Sequence, residues 1–134
     1  MLMKFSFYLG LILIFLLACN KNENLAIDKL PPSIDVYSPE RNFVYSPKDT
    51  VFIKATFSDA GVLRTGSIHV HDQLLPVGQD TLFTYQFKLS QTVFELDTFC
   101  IVNDPLDKNY VIYFETTDRS ENQSKALRFF HQYH

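Results

Sequence analysis

The sequence predicts an all-β fold, a single antiparallel sandwich of about seven short strands, on two observations. Runs rich in β-branched and aromatic residues recur through residues 33–134 with alternating polarity, and each run is closed off by Pro, Gly, Asn or Asp. No stretch sustains the period of about 3.6 residues that marks an amphipathic helix. With 134 residues, 46% of them hydrophobic, the chain has material for one domain with a real core.

Each run assigns its own faces, because successive side chains on a strand point to opposite sides. SIDVY from Ser33 follows Pro31-Pro32, which stop a helix and favour extended backbone. TVFIKATF from Thr50 turns Val51, Ile53, Ala55 and Phe57 inward and Lys54 outward. GSIHVH from Gly66 sends Ile68 and Val70 to the core, leaving His69 and His71 outside. TLFTYQFKL from Thr81 turns in Phe83, Tyr85, Phe87 and Leu89. FELDTFCIV from Phe94 buries Phe94, Leu96 and Cys100, with Glu95 and Asp97 solvated. YVIYFETT from Tyr110 buries Tyr110, Ile112 and Phe114 against an outward Glu115. ALRFFHQY from Ala126 is apolar on both faces, and Leu127 and Phe129 are assigned inward. Seven such strands argue for an immunoglobulin-type or fibronectin-like β-sandwich.

Ahead of the domain, Lys4 is the only charge before Cys19, and Phe5 to Ala18 is almost unbroken Phe, Leu and Ile. That is the arrangement of a secretion signal. At ~1.5 Å rise per residue this run reaches only ~21 Å, short of the ~30 Å hydrocarbon core of a bilayer. Leu16-Leu17-Ala18-Cys19 resembles the bacterial lipobox, in which the cysteine is acylated and becomes the new N-terminus. The expected organisation is residues 1–18 as lipoprotein signal peptide, 19–32 as lipidated Cys19 with a flexible tether, and 33–134 as the sandwich. With Cys19 taken by lipid, Cys100 has no disulfide partner and packs as a small hydrophobe.

The turn TTDRSENQS resembles the DxxGN turn that closes many bacterial Ig-like domains, with Ser120-Glu121-Asn122 in place of Ala-Gly-Asn. FSDAGVL resembles the FSD that opens the next strand in the same domains. With PPSIDVYSP and KDTVFIKATF, the chain from Pro31 onward is similar to small lipoproteins of the Bacteroidota carrying an Ig-like domain (domain of unknown function 4625). The resemblance implies a sandwich fold and a place in the bacterial cell envelope, on the outer membrane. It implies no known activity, and Asn20 after the cysteine fits outer-membrane sorting.

The candidate site residues fall at the two ends of such a sandwich. Phe43 and Tyr45 in SPERNFVYSPKD, with Leu74 and Leu75 in HDQLLPVG, are apolar residues in loops, expected with NDPLDKN at the end far from the tether and free to contact a partner. Asp59, Asp118, Glu121 and Asn122 come from two loops at the opposite end and offer oxygen ligands for Ca²⁺. Their plainer role is to cap turns. His69 and His71 share a strand face and could offer two imidazoles to Zn²⁺, although no third ligand is identifiable. No cofactor beyond the lipid is expected.

A net charge of −3 offers no basic stripe for nucleic acid. There is no HExxH, no GxSxG and no phosphate-cradling loop, and only 4 glycines in all, so no enzyme is expected. The expected partners are the membrane, through the anchor, and an envelope protein or polysaccharide. With 13 Phe and 7 Tyr but no Trp, most rings fall at inward positions and belong to the core.

Overall fold

Alternation carries straight into the architecture. The computed structural model describes residues 28–76, 79 and 81–134, so Cys19 and the leader lie outside the described residues. Eight strands follow in order: β1 Ser33–Ser38, β2 Phe43–Tyr45, β3 Thr50–Ser58, β4 Leu63–Asp72, β5 Thr81–Lys88, β6 Val93–Ile101, β7 Lys108–Asp118 and β8 Gln123–Gln132. They form two sheets, β1-β3-β6 and β2-β8-β7-β4-β5. This is the immunoglobulin-type order: the chain begins in the smaller sheet, crosses to the larger, and β2 runs parallel to the last strand.

The core lies between the sheets. Val51, Ile53, Ala55 and Phe57 on β3 face Ile68 and Val70 on β4, Ile112 and Phe114 on β7 and Phe130 on β8, all essentially out of solvent. Aromatic rings fill the middle: Phe57 has Phe87 at 5.5 Å, Phe94 at 6.2 Å and Phe114 at 6.5 Å between centroids. A Cβ at Gly66 would overlap the Phe87 ring, so the glycine makes room for that ring on the neighbouring strand. Cys100 is buried and free, and desolvation pushes its thiol up to about 11, which leaves it protonated and inert at neutral pH.

Three expectations change. On β8 the core side is Ala126, Arg128 and Phe130, not Leu127 and Phe129, because register with β7 sets Phe114 opposite Ala126, Ile112 opposite Arg128 and Tyr110 opposite Phe130. Arg128 Nη2 donates to the Val36 carbonyl at 2.6 Å, and the guanidinium thereby closes the side of the sandwich where β1 meets β8. Tyr85 is on the core side but stays exposed, since β5 is an edge strand with nothing beyond it. Phe43–Tyr45, expected in a loop, is the short strand β2.

Glu121 occupies the turn between β7 and β8 with φ of 66°. This is the position where the resembling turn carries glycine, and a left-handed backbone disfavours any side chain with a Cβ. Glu121→Gly is expected to stay within about 1 kcal/mol of the parent, the gain in backbone fit offsetting the lost ion pair with Arg64. Glu121→Val, β-branched, is expected to fall ~1–2 kcal/mol below it. Urea unfolding of the two variants reads the difference.

Candidate functional site

The end of the sandwich far from Asp28 is built on a polar frame. Lys108, at the start of β7, reaches Asp104 at 2.8 Å and Asp72 at 3.5 Å, tying the β6–β7 connection to the end of β4. Gln132, fully buried, accepts from the Asp104 amide at 3.0 Å and donates to its carbonyl at 2.7 Å. The Asp72 carboxylate accepts from the Leu74 amide at 2.8 Å, and the Gln73 amide donates to the Asn109 carbonyl at 2.8 Å. On this frame Leu74 stands 83% exposed and Leu106 68% exposed, with Leu75 beside Leu74 in the chain and also exposed. Leu106 did not stand out in the sequence; its signal is an apolar residue in NDPLDKN, a turn otherwise wholly polar apart from its proline.

Phe43 and Tyr45 do not join that cluster. Their rings contact each other at 4.8 Å, and Tyr45 meets Phe130 edge-on at 5.6 Å. Burial, with smaller contributions from Cys100, Glu40 and Asp49, raises the Tyr45 hydroxyl above its ordinary pKa. Two strands, β8 and β7, separate β2 from β4, a distance of ~14 Å at ~4.8 Å per strand. Tyr45 is part of the packing, while Phe43 and Val44 remain exposed at the sheet edge.

The Lys108 frame has a pH signature. The hydrogen bond from Lys108 holds the Asp104 carboxyl below its usual pKa, and a bond from His134 does the same for Asp107. A carboxyl whose folded pKa is depressed contributes stability above its unfolded value near 4, lost as pH falls through the folded value. Melting temperature is therefore expected to drop as pH is lowered below about 4. Lys108→Met is expected to flatten the Asp104 share of that drop and, by leaving the nearly buried Asp72 without its ammonium, to cost about 1–3 kcal/mol at neutral pH. Thermal melts across pH check both.

At the opposite end, Asp28, Asp59 and Asp118 bring ligand-type oxygens within 4.8 Å of one another. Asn122 caps Asp118 with its amide on Oδ1 and its Nδ2 on Oδ2, both at 2.8 Å, and Nδ2 also reaches the Asp28 carbonyl at 2.9 Å. Asp59 Oδ2 is buried with no hydrogen-bond partner. Desolvation, then the charges of Asp118 and Asp28, raise the Asp59 pKa, partly offset by the backbone amides of Gly61 and Ala60. Three of the four sequence candidates meet here or beside it; Glu121 turns away to Arg64.

The two histidines share the outer face of β4, as alternation assigns them, but differ in cover. His69 points outward, with Nδ1 at 3.3 Å from Thr84 Oγ1. His71, paired with Val111 on that same face, is nonetheless out of solvent, stacked on Tyr113 at 5.1 Å, with Nδ1 donating to the Asp72 carbonyl at 2.8 Å. A carbonyl only accepts, so Nδ1 carries a proton, and Nε2 is buried with no hydrogen-bond partner. Among the described residues, the group of three that could hold a metal includes neither histidine.

No protein-family profile matches this chain, and neither does any curated protein sequence. Solved structures do share its fold. OgpA from Akkermansia muciniphila, in its catalytically inactive form in complex with an O-glycopeptide (glycodrosocin) substrate, superposes with TM-score 0.51 and 12% identity, covering 78% of this chain but only 30% of OgpA. Superoxide reductase (neelaredoxin) from Ignicoccus hospitalis superposes with TM-score 0.50 and 11% identity, covering 86% of this chain and 93% of the reductase. At these identities the likeness is one of fold alone.

Proposed function

We propose that this chain is a non-enzymatic, lipid-anchored protein of the bacterial cell envelope, held at the outer membrane by Cys19, whose sandwich presents its far end to an envelope protein. The observation that carries the reading is the pair Leu74 and Leu106, bare on loops that Lys108 holds in place. Apolar side chains on an ordered frame bind without the entropy cost of ordering the loop first. The polar start of the mature chain, from Asn20, supplies the spacer that lets this end reach outward. A photo-crosslinker placed at Leu74 or Leu106 in the full chain, in cells that naturally make it, is expected to yield a discrete protein adduct. The adduct at Leu74 is lost with Leu106→Ser at unchanged melting temperature. A pattern identical to that from the exposed control Gln123 counts against the reading.

A second reading, a divalent-cation module, is favoured by the unpartnered Asp59 oxygen between Asp28 and Asp118. On this reading Ca²⁺ raises the melting temperature, chelator reverses the rise, and Asp59→Asn removes it. An unshifted melt on adding Ca²⁺ rejects it.

A further inference from the structure

The smaller sheet turns one face to the core and leaves the other uncovered among the described residues. On that outer face, register places Phe52 opposite Phe99, Lys54 opposite Asp97 and Thr56 opposite Glu95. Phe52 and Phe99 are 53% and 55% exposed, and Tyr37 of β1 is 63% exposed. Tyr37, Lys54, Thr56, Glu95 and Asp97 border a depression of about 370 Å³, across which Lys54 Nζ holds Asp97 Oδ2 at 3.0 Å. Three bare rings on one face contribute nothing to the core, so folding does not account for them.

We propose that this outer face is a platform for an uncharged, extended glycan, a site separate from the contact at the far end. Pyranose rings carry a face of C–H groups that lies against the negative face of an aromatic ring, and hydroxyls at their edge that need donors and acceptors. Tyr37, Phe52 and Phe99 supply the first, and Lys54, Thr56, Glu95 and Asp97 the second, side by side. Asp35, Glu95 and Asp97 against Lys54 leave the face anionic, which repels phosphate groups, uronic acids and acidic lipid surfaces. The face is narrow, three strands of six, nine and nine residues, which suits an extended chain laid along it.

The test is affinity electrophoresis of the full chain in detergent through gels containing mixed-linkage β-glucan, xyloglucan, galactomannan or, as the anionic control, polygalacturonate. Retardation by at least one neutral polymer and not by polygalacturonate is expected. Tyr37→Ala and Phe99→Ala should each weaken it at least tenfold, with melting temperature unchanged because both side chains are exposed. Free migration through all three neutral gels overturns the proposal, as does retardation that survives the triple change Tyr37→Ala, Phe52→Ala and Phe99→Ala. A dimer in analytical ultracentrifugation that the triple variant dissolves overturns it in favour of a second copy of this chain.

Discussion

Phe57→Ala is expected to remove about 3–5 kcal/mol of stability, the range for a buried Phe whose cavity cannot collapse. Phe57 is fully buried and is the meeting point of Phe87, Phe94 and Phe114, which come from three other strands of both sheets. Removing its ring leaves those three rings facing a void that no single backbone shift can fill. A domain of about 100 residues has roughly 5–15 kcal/mol in all, and no disulfide among the described residues shares the load. The variant is therefore expected to melt about 12–40 °C lower, on the scale of ~4–8 °C per kcal/mol for a domain of this size. Phe52→Ala, one strand position from Ile53 but facing solvent, should stay within about 0.5 kcal/mol of the parent. Paired thermal melts of the two variants separate burial from loss of an aromatic ring as such.

Cys19→Ser is expected to have the largest effect on where the protein resides. Each acyl CH₂ in the bilayer contributes roughly 0.8 kcal/mol, and one saturated chain alone gives only reversible binding, so permanence depends on several chains on one residue. Serine cannot take the thioether. Fractionation of cells labelled with radioactive palmitate should show the parent in the membrane and labelled, and the variant unlabelled and in the soluble fraction. A variant that stays membrane-bound would mean that the apolar run before it, or the sandwich, holds the chain there.

Much of the fold is legible in the sequence because a strand's period of two needs only local information. All seven expected runs are strands, and the inward sets on β3, β6 and β7 are as alternation assigns them. Alternation fails where the deciding contact is distant. On β8, Leu127 and Phe129 alternate with Arg128 and Phe130, and only pairing with β7 decides that the arginine faces in. β2 has three residues and takes its shape from a parallel partner nearly ninety positions away. On β4 alternation holds through Asp72, and His71 keeps its place on the outer face, but its burial there against Tyr113 comes from a neighbouring strand and is not announced by any pattern of residue types.

The candidate sites are legible to the same limit. Topology alone brings Asp59, Asp118 and Asn122 to one end, where the side chains do meet. The grouping of Phe43 and Tyr45 with Leu74 and Leu75 relied on shared loop character, and the two pairs sit on opposite sides of the larger sheet's centre. The ring platform was hidden by the expectation that phenylalanine on a strand points inward; Phe52 and Phe99 hold solvent positions on strands whose other face is already full.

Anchoring is the claim on which the proposed function stands, and intact-mass spectrometry of the protein purified from its native membranes tests it most directly. The expected species begins at Cys19 and is heavier than its polypeptide by the fatty-acyl and glyceryl groups carried on that residue. A species that retains Met1, or one that begins elsewhere with no added lipid mass, would contradict it.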